Sequence, residues 1–199
     1  MSNDPSPISN PLPGLDPQDY ARWRGSTLGA ITEELEQGLV LELVGDVTGK
    51  RVLKIGCGDG ALAVELARPG AHMTAIDASE AMITAAKQRA SVASVVIDFR
   101  VAAAQGLPFA SGQFDLVVAF TILCFVEDAA PVFGEIARVL RPGGRIIIGE
   151  LNRWSTWAAE RRVRAWLGSA LWRRGRFRTP RARGRRCDQE EGLGNACSA

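Results

Sequence analysis

A short apolar run, Arg51–Ile55, leads straight into Gly56-Cys57-Gly58-Asp59-Gly60 and then into the helix-forming stretch Ala61–Arg68. No other feature narrows the fold so far. Glycines at a strand-to-helix turn permit positive φ and let a ligand lie against the backbone, and the helix start adds free amides. Alone, such a turn is common punctuation. Here the next apolar run ends in Asp77, 21 residues after Gly56, where a strand end offers a carboxylate to ribose hydroxyls. Capping of the following helix is the competing use of Asp77. The strand–glycine–helix–strand setting favours the ribose.

Alternation continues beyond that unit. Apolar runs recur at His72–Ile76, Val95–Phe99, Phe114–Ala119 and Arg145–Glu150, with helical segments at Ser79–Ala90 and Ala129–Leu140. Apolar strands alternating with amphipathic helices imply an α/β fold, a mostly parallel sheet covered on both faces. Right-handed crossovers make it doubly wound and Rossmann-like, with a ligand crevice at the carboxyl ends of its central strands. Ahead of the sheet, Asp16-Pro17-Gln18-Asp19 is a helix start. Leu28, Ile31, Leu35, Leu39 and Leu43 then recur at helical spacing, and Gly45 can close that helix. This apolar face is expected to cover the sheet or cap the pocket mouth.

The predicted organisation is therefore a flexible Pro/Ser/Asn leader over 1–15 and a ligand-binding domain with N-terminal cap helices over 16–150. A Trp/Arg-rich helical segment over 151–179 and a disordered or aberrant tail over 180–199 follow. Charge divides the chain the same way. Residues 1–160 hold thirteen basic and nineteen acidic side chains, whereas 161–186 hold eleven arginines and no acid. A solvated basic end explains that run better than contact with nucleic acid or an anionic membrane, because a charge run alone has little specificity. No run approaches the roughly 18 apolar residues of a membrane span. Cys57, Cys124, Cys187 and Cys197 show no metal-ligand spacing, no metal is expected, and reduced cysteines point to the cytoplasm.

Four stretches, VLKIGCGDG, AIDASEAM, GLPFASGQFDLVVA and RVLRPGGRIIIGE, stand in the order and spacing of class I S-adenosylmethionine-dependent methyltransferases. They resemble the small-molecule branch (methyltransferase type 11) that includes quinone-biosynthesis enzymes. The resemblance implies that Gly56, Cys57, Gly58 and Gly60 line the methionine part of S-adenosylmethionine. Asp77 would hold the ribose, Ala78 and Met82 would border the adenine, and Ala104 with Gln105 would close its far side. Phe120 and Thr121 would face the methionine moiety. Arg141-Pro142-Gly143-Gly144 would be a structural tight turn before the fifth strand.

Three departures from the family stand out. Lys54 occupies a position that is usually acidic and complements the cofactor's ammonium. At about 5 Å and an effective dielectric near 20, the repulsion is on the order of 3 kcal/mol, roughly two decades of affinity. That is an upper bound, since lysine can turn its charge into water. Ala103 replaces an acid that accepts from the adenine amino group, a loss of about 1 kcal/mol, which Gln105 can partly replace. Finally, the usual C-terminal antiparallel strand pair has no counterpart after residue 150, as in a truncated or out-of-frame ending.

Methyl transfer asks little of side chains, because the sulfonium is already activated and in-line positioning supplies much of the rate. No catalytic base is singled out. His72 begins a strand, away from the crevice, and Thr121, Cys124 and Glu127 have packing or capping uses as good as any chemical one. The expected function is methyl transfer to a small-molecule acceptor, impaired by Lys54 and the shortened end. The alternative is a non-catalytic protein of the same fold that binds a ligand or partner. A nicotinamide enzyme fits less well, since its glycines are spaced GxGxxG.

Overall fold

The computed structural model describes residues 17–150, together with Val163 and Trp166. Two helices precede the sheet. α1, Pro17–Arg24, carries Asp19 in its first turn and Arg22 and Arg24 in its last, each on the favourable end of the helix dipole. α2, Thr27–Val44, starts at Ser26, whose hydroxyl accepts from the Gly29 amide at 3.1 Å. It stops at Gly45, at φ 65°, with the Gly45 amide donating to the Leu41 carbonyl at 3.0 Å.

The apolar stripe of α2 runs against expectation. Leu28, Ile31, Leu35, Leu39 and Leu43 are exposed, while Gly29, Thr32, Val40 and Val44 are the buried residues. The cause is local. α1 turns back so tightly that a Cβ at Gly29 would run into the Trp23 carbonyl, and this close approach fixes the Gly29 side of α2 inward. Val40 and Val44 then reach the core, and Arg145 donates to the Val44 carbonyl at 2.6 Å.

Five strands follow: β1 Arg51–Ile55, β2 His72–Asp77, β3 Ile97–Val101, β4 Phe114–Phe120 and β5 Leu140–Gly149. They form one sheet in the order β3-β2-β1-β4-β5, parallel throughout. α3 Ala61–Ala67, α4 Glu80–Val92 and α5 Ala130–Val139 make the crossovers. β1 and β4 are buried on both sides, with Val52, Leu53, Ile55, Leu116, Val117 and Val118 at 1% exposure or less. Alternate residues feed two core layers. Val52, Leu116 and Val118 meet α2, α3 and α4, and Leu53, Ile55 and Val117 meet α5. Strand order reverses at β1, so the crevice opens where β1 and β4 end.

Two strand starts moved. Arg141–Gly144 is a bulge inside β5, because Phe114 pairs with Leu140 and Leu116 with Arg145. Asp115 holds the bulge through Arg141, 2.8 Å away. β3 begins at Ile97, two residues later than its apolar run. The expectations for the leader, for 151–179 and for the tail and missing strand pair fall outside the described residues. Val163 and Trp166 are helical and exposed.

Candidate cofactor site

The ends of β1, β2 and β4 meet at the glycine turn. Gly56, Gly58 and Gly60 all have positive φ, 62°, 55° and 84°. Their surroundings differ. A Cβ on Gly56 would stand 2.9 Å from Ile122 Cδ1, and one on Gly60 would stand 2.9 Å from Ala86 Cβ. A Cβ on Gly58 would meet nothing within 4 Å. Gly56 and Gly60 thus let the chain pack, whereas Gly58 bares its backbone to open space, where a ligand can approach.

Asp77 joins the turn to the next helix. Its carboxylate accepts from the Gly58 amide at 2.8 Å and from the Ser79 amide at 2.9 Å. The cap of α4 is Ser79, whose hydroxyl accepts from Met82 N at 3.3 Å, so Asp77 is not needed there. A carboxylate has about four acceptor positions. Asp77 is half-buried and keeps capacity for hydroxyl donors.

Lys54 does not turn to water. It shares the face of Val52, is 3% exposed, and donates through Nζ to the Ile55 carbonyl at 2.9 Å and the Gly56 carbonyl at 2.8 Å. Burial pushes its ammonium down to about 8, against the pull of Asp77 and Glu150. Cys57 is buried beside it, and burial pushes its thiol up to about 12. It therefore stays protonated and is a poor nucleophile.

Thr121 follows β4 at φ 53°, a strained conformation for a residue with a Cβ. Its amide donates to the Gly149 carbonyl at 2.7 Å, and the Phe120 ring lies on Gly149. Glu150 accepts from the Leu123 amide at 2.7 Å. The strand ends are thereby tied together beside the turn. Ala78 and Gln105 are exposed, Ala103 is half-buried, and Met82 and Ala104 are buried. Cys124 is buried against the Thr121 carbonyl, 3.7 Å away, and Glu127 is exposed. His72 pairs with Arg51 at the opposite end of the sheet.

Sequence reasoning missed the side chains that hold this region from behind. Asp59, inside the turn, is buried between Arg24 and Arg89. Glu135 accepts from Leu107 N at 2.6 Å, and Arg138 donates to the Leu107 and Phe109 carbonyls. Each pair is far apart in sequence and carries no local signal. Among the described residues no cluster of His, Cys, Asp and Glu could hold a metal, and no helix is long and apolar enough to cross a membrane.

The turn and Asp77 fit S-adenosylmethionine: open space before Gly58, free acceptor capacity at a strand end, a half-buried rim. The exception is the charge of Lys54, set under the turn.

Comparison with known proteins agrees with this geometry. Residues 53–148 match a family described as a methyltransferase domain. A ubiquinone biosynthesis O-methyltransferase from Xanthomonas oryzae pv. oryzae is 38% identical over 109 residues, 54% of this chain and 46% of that protein. The chain thus spans about half the length of the curated relatives it matches. A Thermotoga maritima structure, described as a SAM-dependent methyltransferase and possible histamine N-methyltransferase, is 25% identical with a TM-score of 0.65. The match covers 82% of this chain and 71% of that one. The [4+2]-cyclase SpnF is 31% identical with a TM-score of 0.58, over 62% and 47% of the two chains. Across residues 53–148, this chain carries a class I S-adenosylmethionine-dependent methyltransferase domain.

Proposed function

We propose that the chain transfers the methyl group of S-adenosylmethionine to a small-molecule acceptor. The observation that carries this reading is the join of Asp77 to Gly58, which sets a carboxylate and an open glycine backbone on one rim. Bound there, the cofactor would supply an activated methyl on a positive sulfur. The chain's own part is to hold and orient. Gly56, Cys57, Gly58 and Gly60 would bracket the methionine moiety and Asp77 would accept from the ribose. Ala78, Met82, Ala103, Ala104 and Gln105 would frame the adenine, and Phe120 and Thr121 would close the sulfur side. The ubiquinone-biosynthesis relatives support an oxygen acceptor. A cytoplasmic location belongs to the same proposal, on the buried thiols of Cys57 and Cys124, which form no disulfide. Contact of the arginine-rich tail with nucleic acid or anionic surfaces forms no part of it.

A second reading, a non-catalytic ligand-binding protein of this fold, is favoured by Lys54 alone. Its buried ammonium opposes a cationic ligand end and already occupies the carbonyls of Ile55, at the end of β1, and of Gly56, at the start of the turn. That a cyclase shares the fold illustrates how far chemistry can drift on one scaffold. Calorimetric titration of S-adenosylmethionine into the wild type, Lys54→Asp and Lys54→Met separates the two. We expect weak binding by the wild type and tighter binding by a variant without the positive charge. Folded proteins that all fail to bind would sink the methyltransferase reading and leave the second.

A further inference from the structure

Arg24 is the one buried residue of α1, 8% exposed on a helix whose other side chains are partly or fully exposed. An apolar anchor would be the ordinary way to dock a short helix. Here a guanidinium does it. Arg24 donates to Glu33 of α2 at 2.8 Å, lies over the Tyr20 ring at 4.8 Å, and forms an ion pair with the Asp59 carboxylate. Asp59 stands between Gly58 and Gly60. From α4, Arg89 donates to the same carboxylate at 2.7 Å and to the Asp59 carbonyl at 3.0 Å. One side chain of the turn thus collects two helices.

Beside this junction runs a cleft of about 950 Å³ between α1, α2, α3 and α4. Asp59 is the one residue of 56–60 in its lining. α1 thus faces the turn across a gap, which the Arg24 guanidinium bridges to Asp59. Buried ion pairs contribute little net stability compared with apolar packing of the same shape, and fixing one arrangement is their best-attested use. The arrangement fixed here includes the glycine turn itself. Asp59 pulls the turn from one side, while Gly58 is held by Asp77 on the other.

We propose that Arg24 is a positioning residue that makes the docking of α1 and the shape of the glycine turn one equilibrium. The part concerning cofactor rests on the reading given under Proposed function. Since coupling between two events is reciprocal, a ligand that selects the ordered turn also closes α1, and an undocked α1 weakens that ligand.

The test is amide hydrogen exchange on the full chain for the wild type, Arg24→Met, Arg24→Lys and Asp59→Asn, with and without S-adenosylmethionine. Without ligand, Arg24→Met and Asp59→Asn should each speed exchange at least tenfold in both 17–24 and 57–61, with Arg24→Lys partly restoring both. The Arg24→Met/Asp59→Asn double variant should be no worse than the poorer single. Added S-adenosylmethionine should slow exchange in 17–24 in the wild type and not in Arg24→Met, whose affinity should fall about tenfold. Faster exchange of α1 with an unchanged turn would overturn the proposal, as would equal protection of α1 by the cofactor in both proteins. Should the wild type bind no S-adenosylmethionine, the ligand-free comparison decides the coupling by itself, and the Lys54 variants decide the cofactor reading separately. Should Asp59→Asn fail to fold, Arg24→Lys against Arg24→Met decides the coupling on the same two segments.

Discussion

Lys54 is the residue at which burial, charge and function conflict most. Its ammonium falls from 10.5 to about 8 on folding because burial removes its hydration. Between those values the unfolded chain holds the proton and the folded one does not. Stability therefore rises with pH across that window, and below about 8 the cost of the buried charge is present in full. At about 1.4 kcal/mol per pH unit the cost is about 3 kcal/mol. Lys54→Met lacks it, so its stability advantage over the wild type should shrink as pH rises from 8 to 10.5. Urea unfolding of both proteins across that range measures the gap, and a constant gap would show that Lys54 is not buried charged. The glycines of the turn make a second residue-scale contrast. Gly60→Ala adds a Cβ 2.9 Å from Ala86 Cβ on a residue at φ 84°, and should cost about 3 kcal/mol. Gly58→Ala meets open space and should cost about 1 kcal/mol, the left-handed strain alone, yet it should weaken S-adenosylmethionine more than Gly60→Ala does. Thermal unfolding and calorimetry on both variants check the inversion, and equal ranking in the two assays would deny Gly58 its special exposure.

Elements were legible where one periodicity decides them, and misleading where two faces compete. α2 shows the difference. Its helical spacing and its Gly45 stop are local signals, and both hold; the Ser26 cap is seen only in the structure. Which face turns inward is not local. The leucines are the more hydrophobic set, yet Leu35 is 69% exposed and Val40 is 1% exposed, because the α1–α2 turn and the crossing over β5 fix the helix rotation. We expect Leu35→Gln and Leu39→Gln each to change stability by no more than about 0.5 kcal/mol. Val40→Ala and Val44→Ala should each cost about 2 kcal/mol. Denaturant midpoints of the four variants test this; costs in the reverse order would mean that the leucine face is the packed one. The same logic explains Arg141–Gly144. Two glycines and a proline announce a turn, and only the pairing of β4 with β5 reveals that the strand already began at Leu140. At the site, the glycine turn and Asp77 were readable from spacing, whereas Arg24–Asp59 and Glu135–Leu107 bridge residues that no pattern connects.

At the scale of the molecule, alternation and crossover handedness implied a doubly wound parallel sheet, its strand order came only from the structure, and β1 and β4 are what unify it. Each sends alternate side chains into both core layers, so neither layer can come apart while the other persists. Leu53 faces the α5 layer and Val52 faces the layer of α2, α3 and α4, both at 0% exposure. Leu53→Ala should cost about 3 kcal/mol and Val52→Ala about 2 kcal/mol, and in each the whole described domain should melt in one transition. The turn hangs from the same strand. A ligand bound at Gly58 and Asp77 to about 100 times its Kd stabilises the folded state by about 2.7 kcal/mol, and that gain should appear as an upward shift of the single transition. Far-UV circular dichroism reports the sheet and helices together, and in a background with Trp154, Trp157, Trp166 and Trp172 replaced by Phe the fluorescence of Trp23 reports α1. Coincident melting by both probes, moved together by Leu53→Ala and by ligand, is the expected outcome. A transition that splits, with the Trp23 signal leaving early even when Arg24 is intact, would show that α1 is a separate unit and that the sheet does not carry the cofactor turn and its helical cover as one body.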